Sequence, residues 1–136
     1  MTEIPHEVRL PAEEGPRHGL IQVYTGPGKG KTTAALGLAL RAAGQGLHVH
    51  IVQFMKGVEY GELKTLALIP GITVERFGEA TWVDPKDITE EDKEHARQGL
   101  EHARQVMLSG ECDVLILDEI NVAVSYKLLP VESVLE

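Results

Sequence analysis

Residues 24–37 read YTGPGKGKTTAALG, with three glycines and two lysines packed into a seven-residue span just before an alanine-rich run. The stretch is bracketed by LIQVY (20–24), apolar and bounded by glycines, and by Thr32–Ala43, rich in Ala and Leu. The first reads as a buried strand and the second as a helix that Gly44 and Gly46 stop. A glycine-rich turn between strand and helix lets successive backbone N–H groups point inward, next to the positive end of the helix. Gly30-Lys31-Thr32 supplies the last three positions of the phosphate-loop pattern G-x-x-x-x-G-K-[ST], while the first falls on Thr25 with Gly26 one step later. In this register Lys31 and Lys29 neutralise phosphate charge and the Thr32 hydroxyl can hold Mg²⁺, whereas Pro27 has no N–H to donate.

Further apolar runs follow at regular intervals. Leu47–Phe54 (LHVHIVQF), Ile72–Phe77 (ITVERF) and Asp113–Asp118 (DVLILD) read as strands, Gly61–Ile69 as a short helix ended by Pro70, and Val131–Glu136 as the start of another helix. Thr89–Leu108 reads as a long helix, with Thr89 as its N-cap and Glu90, Glu91 and Asp92 favouring the positive end of the dipole. Strand and helix alternate four times, so the expected fold is α/β, a mostly parallel sheet with helices on both faces. Ligands of such sheets sit at the carboxyl ends of the strands. Both Thr25–Thr32 and Asp118-Glu119 follow strand ends, so they can face one cleft, and either carboxylate can reach Mg²⁺ directly or through water.

Composition narrows the partners. The net charge of −8 argues against generic nucleic-acid or anionic-membrane binding, so an anionic ligand must be met by a local cluster of donors. A single cysteine, Cys112, excludes an internal disulfide, reads as a small buried residue and fits a reducing cytoplasm. Residues 1–18, with Pro5, Pro11 and Pro16 among mixed charges, lack the apolar core of a secretory signal. They read as a mobile arm, without a role or folding over a ligand or a neighbouring subunit, ahead of one nucleotide-binding domain at 19–136. EHARQ at 94–98 recurs at 101–105, which offers an Arg97–Glu101 pair and a narrow Ala/Leu seam on an otherwise solvated helix, with a dimer seam as the alternative. His48 and His50 share one side of a strand and His95 and His102 one helix face, a spacing that favours packing or solvent over metal ligation. These residues leave a motor, a kinase, a switch and a hydrolase all open.

More of the chain bears on that choice. LIQVYTGPGKGKTTAALGLALRAAGQG, VQFMKGVEYGE, RFGEATWVDP and VLILDEINVAVSYKLL, in this order, resemble the ATP:corrinoid adenosyltransferase family from about residue 19 onward. The resemblance implies a P-loop NTPase-like (RecA-like) fold and transfer of the 5′-deoxyadenosyl group of ATP to the cobalt(I) of a corrinoid, in cobalamin biosynthesis or salvage, with release of the whole triphosphate. It carries Thr25, Gly26, Pro27, Gly28, Lys29, Gly30, Lys31, Thr32, Thr33 and Arg41 over to ATP binding. It assigns Thr32, Asp118 and Glu119 to Mg²⁺, and Lys31, Thr32 and Glu119 to catalysis. Thr81 and Trp82 match a segment that lies against the corrin ring, where Ala80 stands at a position often Phe and Phe77 can substitute. A reductase or reduced flavin as electron donor and a homodimer are implied as well. Family members continue for several tens of residues beyond the DEIN segment, adding a helix–strand unit whose absence would leave a sheet neighbour unpaired. A generic P-loop ATPase or kinase, or a short relative that binds ATP or corrinoid without turnover, are the alternatives.

Overall fold

A computed structural model describes residues 19–55, 61–78 and 83–136. Three parallel strands form its sheet, β1 (Val49–Phe54), β2 (Ile72–Phe77) and β3 (Val114–Asp118), in the order β2-β1-β3. The central strand carries the most continuous hydrophobicity, as a strand covered on both faces must. Its six residues are all buried. Val49 lies level with Ile72 and Val114, Ile51 with Val74 and Ile116, and Gln53 with Arg76 and Asp118.

The two-residue alternation of the strands sends side chains to two separate cores. Helices α1 (Lys31–Gly44) and α2 (Gly61–Leu66) cover Val49, Ile51 and Ile72 with Ala39, Ala42, Leu63 and Leu66. On the opposite face α3 (Glu90–Ser109) packs Ala96 and Ala103 near Val52 and Phe54. Ala123 of α4 (Ile120–Ser125), Leu128 and Leu129 complete that layer, with Val134 of α5 (Val131–Leu135) at its margin. Each fully buried aliphatic side chain contributes about 1.5–3 kcal/mol over its exposed state, so the two small cores together hold three strands between two helical layers.

Helix α3 lies close to the sheet because its inward stripe is small. A Cβ added at Gly99 would fall 2.8 Å from Phe54 Cε1 and 3.1 Å from Phe77 Cβ. Thr89 is the N-cap, as expected: its hydroxyl accepts from Asp92 N–H (3.1 Å), and in addition the Asp92 carboxylate accepts from Thr89 N–H (2.9 Å). This closes a capping box and satisfies two otherwise orphaned donors. The repeated EHARQ segments put Ala96 and Ala103 against the sheet, so the seam belongs to the chain's own core. Arg97 pairs with Glu94 at 2.8 Å and not with Glu101, which accepts instead from Gln105 Nε2 (3.3 Å). Both geometries are helix-surface neighbours of similar small worth, and the side chain takes the shorter reach.

One expected strand is missing. Leu20–Tyr24 forms no ladder, and Leu20, Ile21 and Val23 are 84%, 94% and 66% exposed. Strand structure needs a partner for its backbone groups, and among the described residues none flanks this segment. The outer side of β3 likewise has no neighbouring strand among the described residues. Cys112 is half-exposed and not buried, standing in the turn that leads into β3. The arm at 1–18 and the Thr81-Trp82 pair lie outside the described residues. Among the described residues no helix is long and apolar enough to cross a membrane.

Candidate functional site

Because all three strands are parallel, Phe54, Phe77 and Asp118 end on one side of the sheet. The glycine-rich loop reaches that side through α1. Gly26, Gly28 and Gly30 adopt φ of 120°, 108° and 109°, values that side chains disfavour, and nothing lies within 4 Å of where their Cβ atoms would be. The loop thus curls with its inner face open, as a cradle for a bulky anion requires. Lys31 opens α1, and its ammonium donates to the carbonyl oxygens of Gly26 (2.5 Å) and Gly28 (3.1 Å). The first turn of α1 has no acidic residue and no side-chain cap, so its N–H groups keep their positive field.

A single contact ties this loop to the far end of the sequence. The Thr32 hydroxyl donates to Asp118 Oδ1 at 2.9 Å, across 86 residues. Gln53, wholly buried at the end of β1, donates from Nε2 to Asp118 Oδ2 at 3.2 Å. Asp118 is therefore held through both of its oxygens and is itself buried. The next residue, Glu119, takes the left-handed conformation (φ 65°) as the N-cap of α4. That conformation is unusual for a residue with a Cβ, and it turns the chain sharply just where β3 ends. Met55, directly after β1, does the same with φ 66°.

The structure brings Thr32 and Asp118 together, with the glycine loop, Lys31 and Glu119 alongside in sequence and at the same end of the sheet. Lys29 and Thr33 are exposed at the loop and the start of α1. Arg41 lies in the last turn of α1, ten residues beyond Lys31, about 15 Å along a helix that rises 1.5 Å per residue. Phe77 is half-buried, packed against Gly99 of α3 with its ring 5.4 Å from that of His102. Two features escaped the sequence reading. Gln53 is one, although the amide inside LHVHIVQF is the one polar side chain at the end of that strand. The other joins the two histidine pairs: His50 Nε2 meets His102 Nε2 at 2.8 Å, Thr73 Oγ1 bonds His50 Nδ1, and Glu75 lies 3.3 Å from His102. Burial first, and then His102, hold the His50 imidazole below its ordinary range, with Glu75 pulling the other way.

The sequence profile of the family described as ATP:corrinoid adenosyltransferase BtuR/CobO/CobP matches residues 17–136. The chain is 35% identical over 125 residues to the corrinoid adenosyltransferase of Escherichia coli K12, covering 92% of this chain and 63% of that protein. It is 34% identical to corrinoid adenosyltransferase CobA of Salmonella typhimurium LT2, covering 91% and 63%. With the corrinoid adenosyltransferase of Pseudomonas aeruginosa the identity is 30%, over 91% and 62%. The chain thus spans a little under two thirds of the length of these relatives. The match runs through the glycine loop and the end of β3 alike, and the chain belongs to the ATP:corrinoid adenosyltransferase family.

Proposed function

We propose that the protein transfers the 5′-deoxyadenosyl group of ATP to the cobalt(I) of a corrinoid and releases triphosphate. The observation that carries the reading is the Thr32–Asp118 hydrogen bond, which joins a loop shaped for polyphosphate to a carboxylate at the end of β3. In the reaction cobalt(I) attacks C5′, the C5′–O5′ bond breaks, and the bonding pair leaves with the triphosphate. Cobalt(I) carries no proton to remove, so the chemistry asks for alignment and for stabilisation of the departing charge rather than for a base. The glycine-loop N–H groups, Lys29, Lys31 and the start of α1 supply that stabilisation, and Thr25 to Thr33 line the polyphosphate. On this reading the fold is of the P-loop, RecA-like type.

The residues fit Mg²⁺. A Thr32 hydroxyl that gives its hydrogen to Asp118 turns its lone pairs outward, and hydroxyl and carboxylate oxygens suit a hard cation. Among the described residues no three His, Cys, Asp or Glu side chains converge on a metal, so nucleotide oxygens and water would complete the shell. Thr32, with Asp118 and Glu119, would hold the ion, and its charge would oppose that of the triphosphate. The family resemblance supports Arg41 near the nucleotide, and Thr81, Trp82 and Phe77 near the corrin ring. It supports as well an electron donor such as a reductase or reduced flavin, a homodimer and a cytoplasmic setting.

The test supplies ATP, Mg²⁺ and a chemically reduced corrinoid and identifies the products. Intact tripolyphosphate together with a light-sensitive cobalt–carbon bond is expected. Orthophosphate released without corrinoid would point to an ATPase, and binding of ATP without either product to a non-catalytic relative; both outcomes reject the transferase.

A further inference from the structure

The amide of Gln53 is half used. Nε2 donates to Asp118 Oδ2, but Oε1 is buried without a hydrogen-bond partner among the described residues. The amide cannot be turned to relieve this, because Oε1 would then face a carboxylate oxygen. Native interiors rarely leave such an acceptor alone, and where they do the exception asks for a reason. Its position supplies one. Gln53 lies level with Asp118 in the ladder, on the same face of β1 as Ile51, which is the face that α1 covers. Asp118 in turn touches Thr32 in the first turn of α1. The orphaned oxygen therefore belongs to the network beneath the mouth of the glycine loop.

An acceptor there repels phosphate oxygen and attracts a donor. A nucleotide also brings ribose and base donors, but the donor that accompanies its phosphates is the water on the ion, whose hydrogens are acidified and directed outward. We propose that Gln53 is a positioning residue for a hydrated divalent cation: its Nε2 orients Asp118, and its Oε1 accepts a hydrogen bond from a water on the ion. This rests on the metal–nucleotide reading of the site. Gln53 touches neither the nucleotide nor the corrinoid; it sets the aim of the groups that hold the ion.

The experiment titrates Mn²⁺, read by electron paramagnetic resonance, into the full chain with a non-hydrolysable ATP analogue. Nucleotide affinity is measured separately in EDTA. Gln53→Met, of similar volume but without the amide, is expected to lower Mn²⁺ affinity at least tenfold, within the range for outer-shell partners, while nucleotide affinity in EDTA stays at the wild-type value. Wild-type Mn²⁺ affinity in Gln53→Met overturns the proposal, as does an equal loss with and without metal, which marks a purely structural role. Should Gln53→Met fail to fold by circular dichroism, Gln53→Asn gives the same comparison, with a smaller loss expected in the metal arm alone. If the wild-type chain binds the analogue but Mn²⁺ adds nothing, Gln53 is wrong and nucleotide binding stands. If it binds no analogue at all, the reading of the loop falls and takes Gln53 with it.

Discussion

Two apolar runs of five residues, LIQVY at 20–24 and VLILD at 114–118, read alike and end differently. The second is β3, bonded along its length to β1, with Val114 and Ile116 packed in one core and Leu115 and Leu117 in the other. The first makes no ladder among the described residues and leaves three large apolar side chains mostly in solvent, while Asn121 Nδ2 of α4 donates to the Tyr24 carbonyl at 3.4 Å. Composition does not separate them. What separates them is a neighbour: β3 has β1 beside it, and residues 20–24 have no strand beside them among the described residues. Apolar patterning nominates a strand, and pairing elects it.

The contrast can be broken where the sheet is densest. Ile51→Ala, at a fully buried position level with Ile116, is expected to lower unfolding free energy by about 2–5 kcal/mol in a urea titration. A loss below about 1 kcal/mol would mean that the three-stranded core is not what holds the chain together. Gly99→Ala should cost about 1–3 kcal/mol, because the methyl group would fall 2.8 Å from Phe54 Cε1 and 3.1 Å from Phe77 Cβ and Cγ. An unchanged midpoint would show that α3 stands further from the sheet than described.

A third measurement uses pH. His50 on β1 is held below its ordinary range by burial and by His102. As pH falls the unfolded chain takes up this proton before the folded one does. Stability is therefore full above about pH 6.5 and declines from there toward the lower folded value. The groups that face His50 are Thr73 and Glu75 from β2 and His102 from α3. Denaturation midpoints at pH 7.5 and 5.5 should separate for the wild type and draw together in His50→Asn; equal separations would remove His50 as the source. The smallest effect belongs to the unpaired run. Ile21→Ala should change stability by less than about 0.5 kcal/mol, and amides 20–24 should exchange with deuterium far sooner than those of β3. Slow exchange there would mean that the run has found a partner after all.

Much of the fold was legible because its signals are local. ITVERF is β2 residue for residue, and Thr89 with Asp92 starts α3 as capping chemistry demands. The loop and the end of β3 were legible as a pair because each carries its own chemistry, and strand order then had only to bring Thr32 to Asp118. What escaped depends on distance along the chain. His50 finds His102 across 52 residues and Gln53 finds Asp118 across 65, and no window of sequence contains either partner. Helix α4 escaped for a different reason. INVAVS is rich in β-branched residues that favour strand, yet the left-handed turn at Glu119 and the packing of Ala123 make it a helix.

The ammonium of Lys31 rests on two carbonyl oxygens of the loop that precedes it. The cation thereby acts as a clasp: it gathers Gly26 and Gly28 into a ring whose curvature already suits a guest. On the proposed reading, an arriving polyphosphate would swap places with backbone oxygens instead of recruiting a waving side chain from water. Much of the ordering is then settled when the chain folds, and occupancy becomes an exchange of partners for one fixed charge.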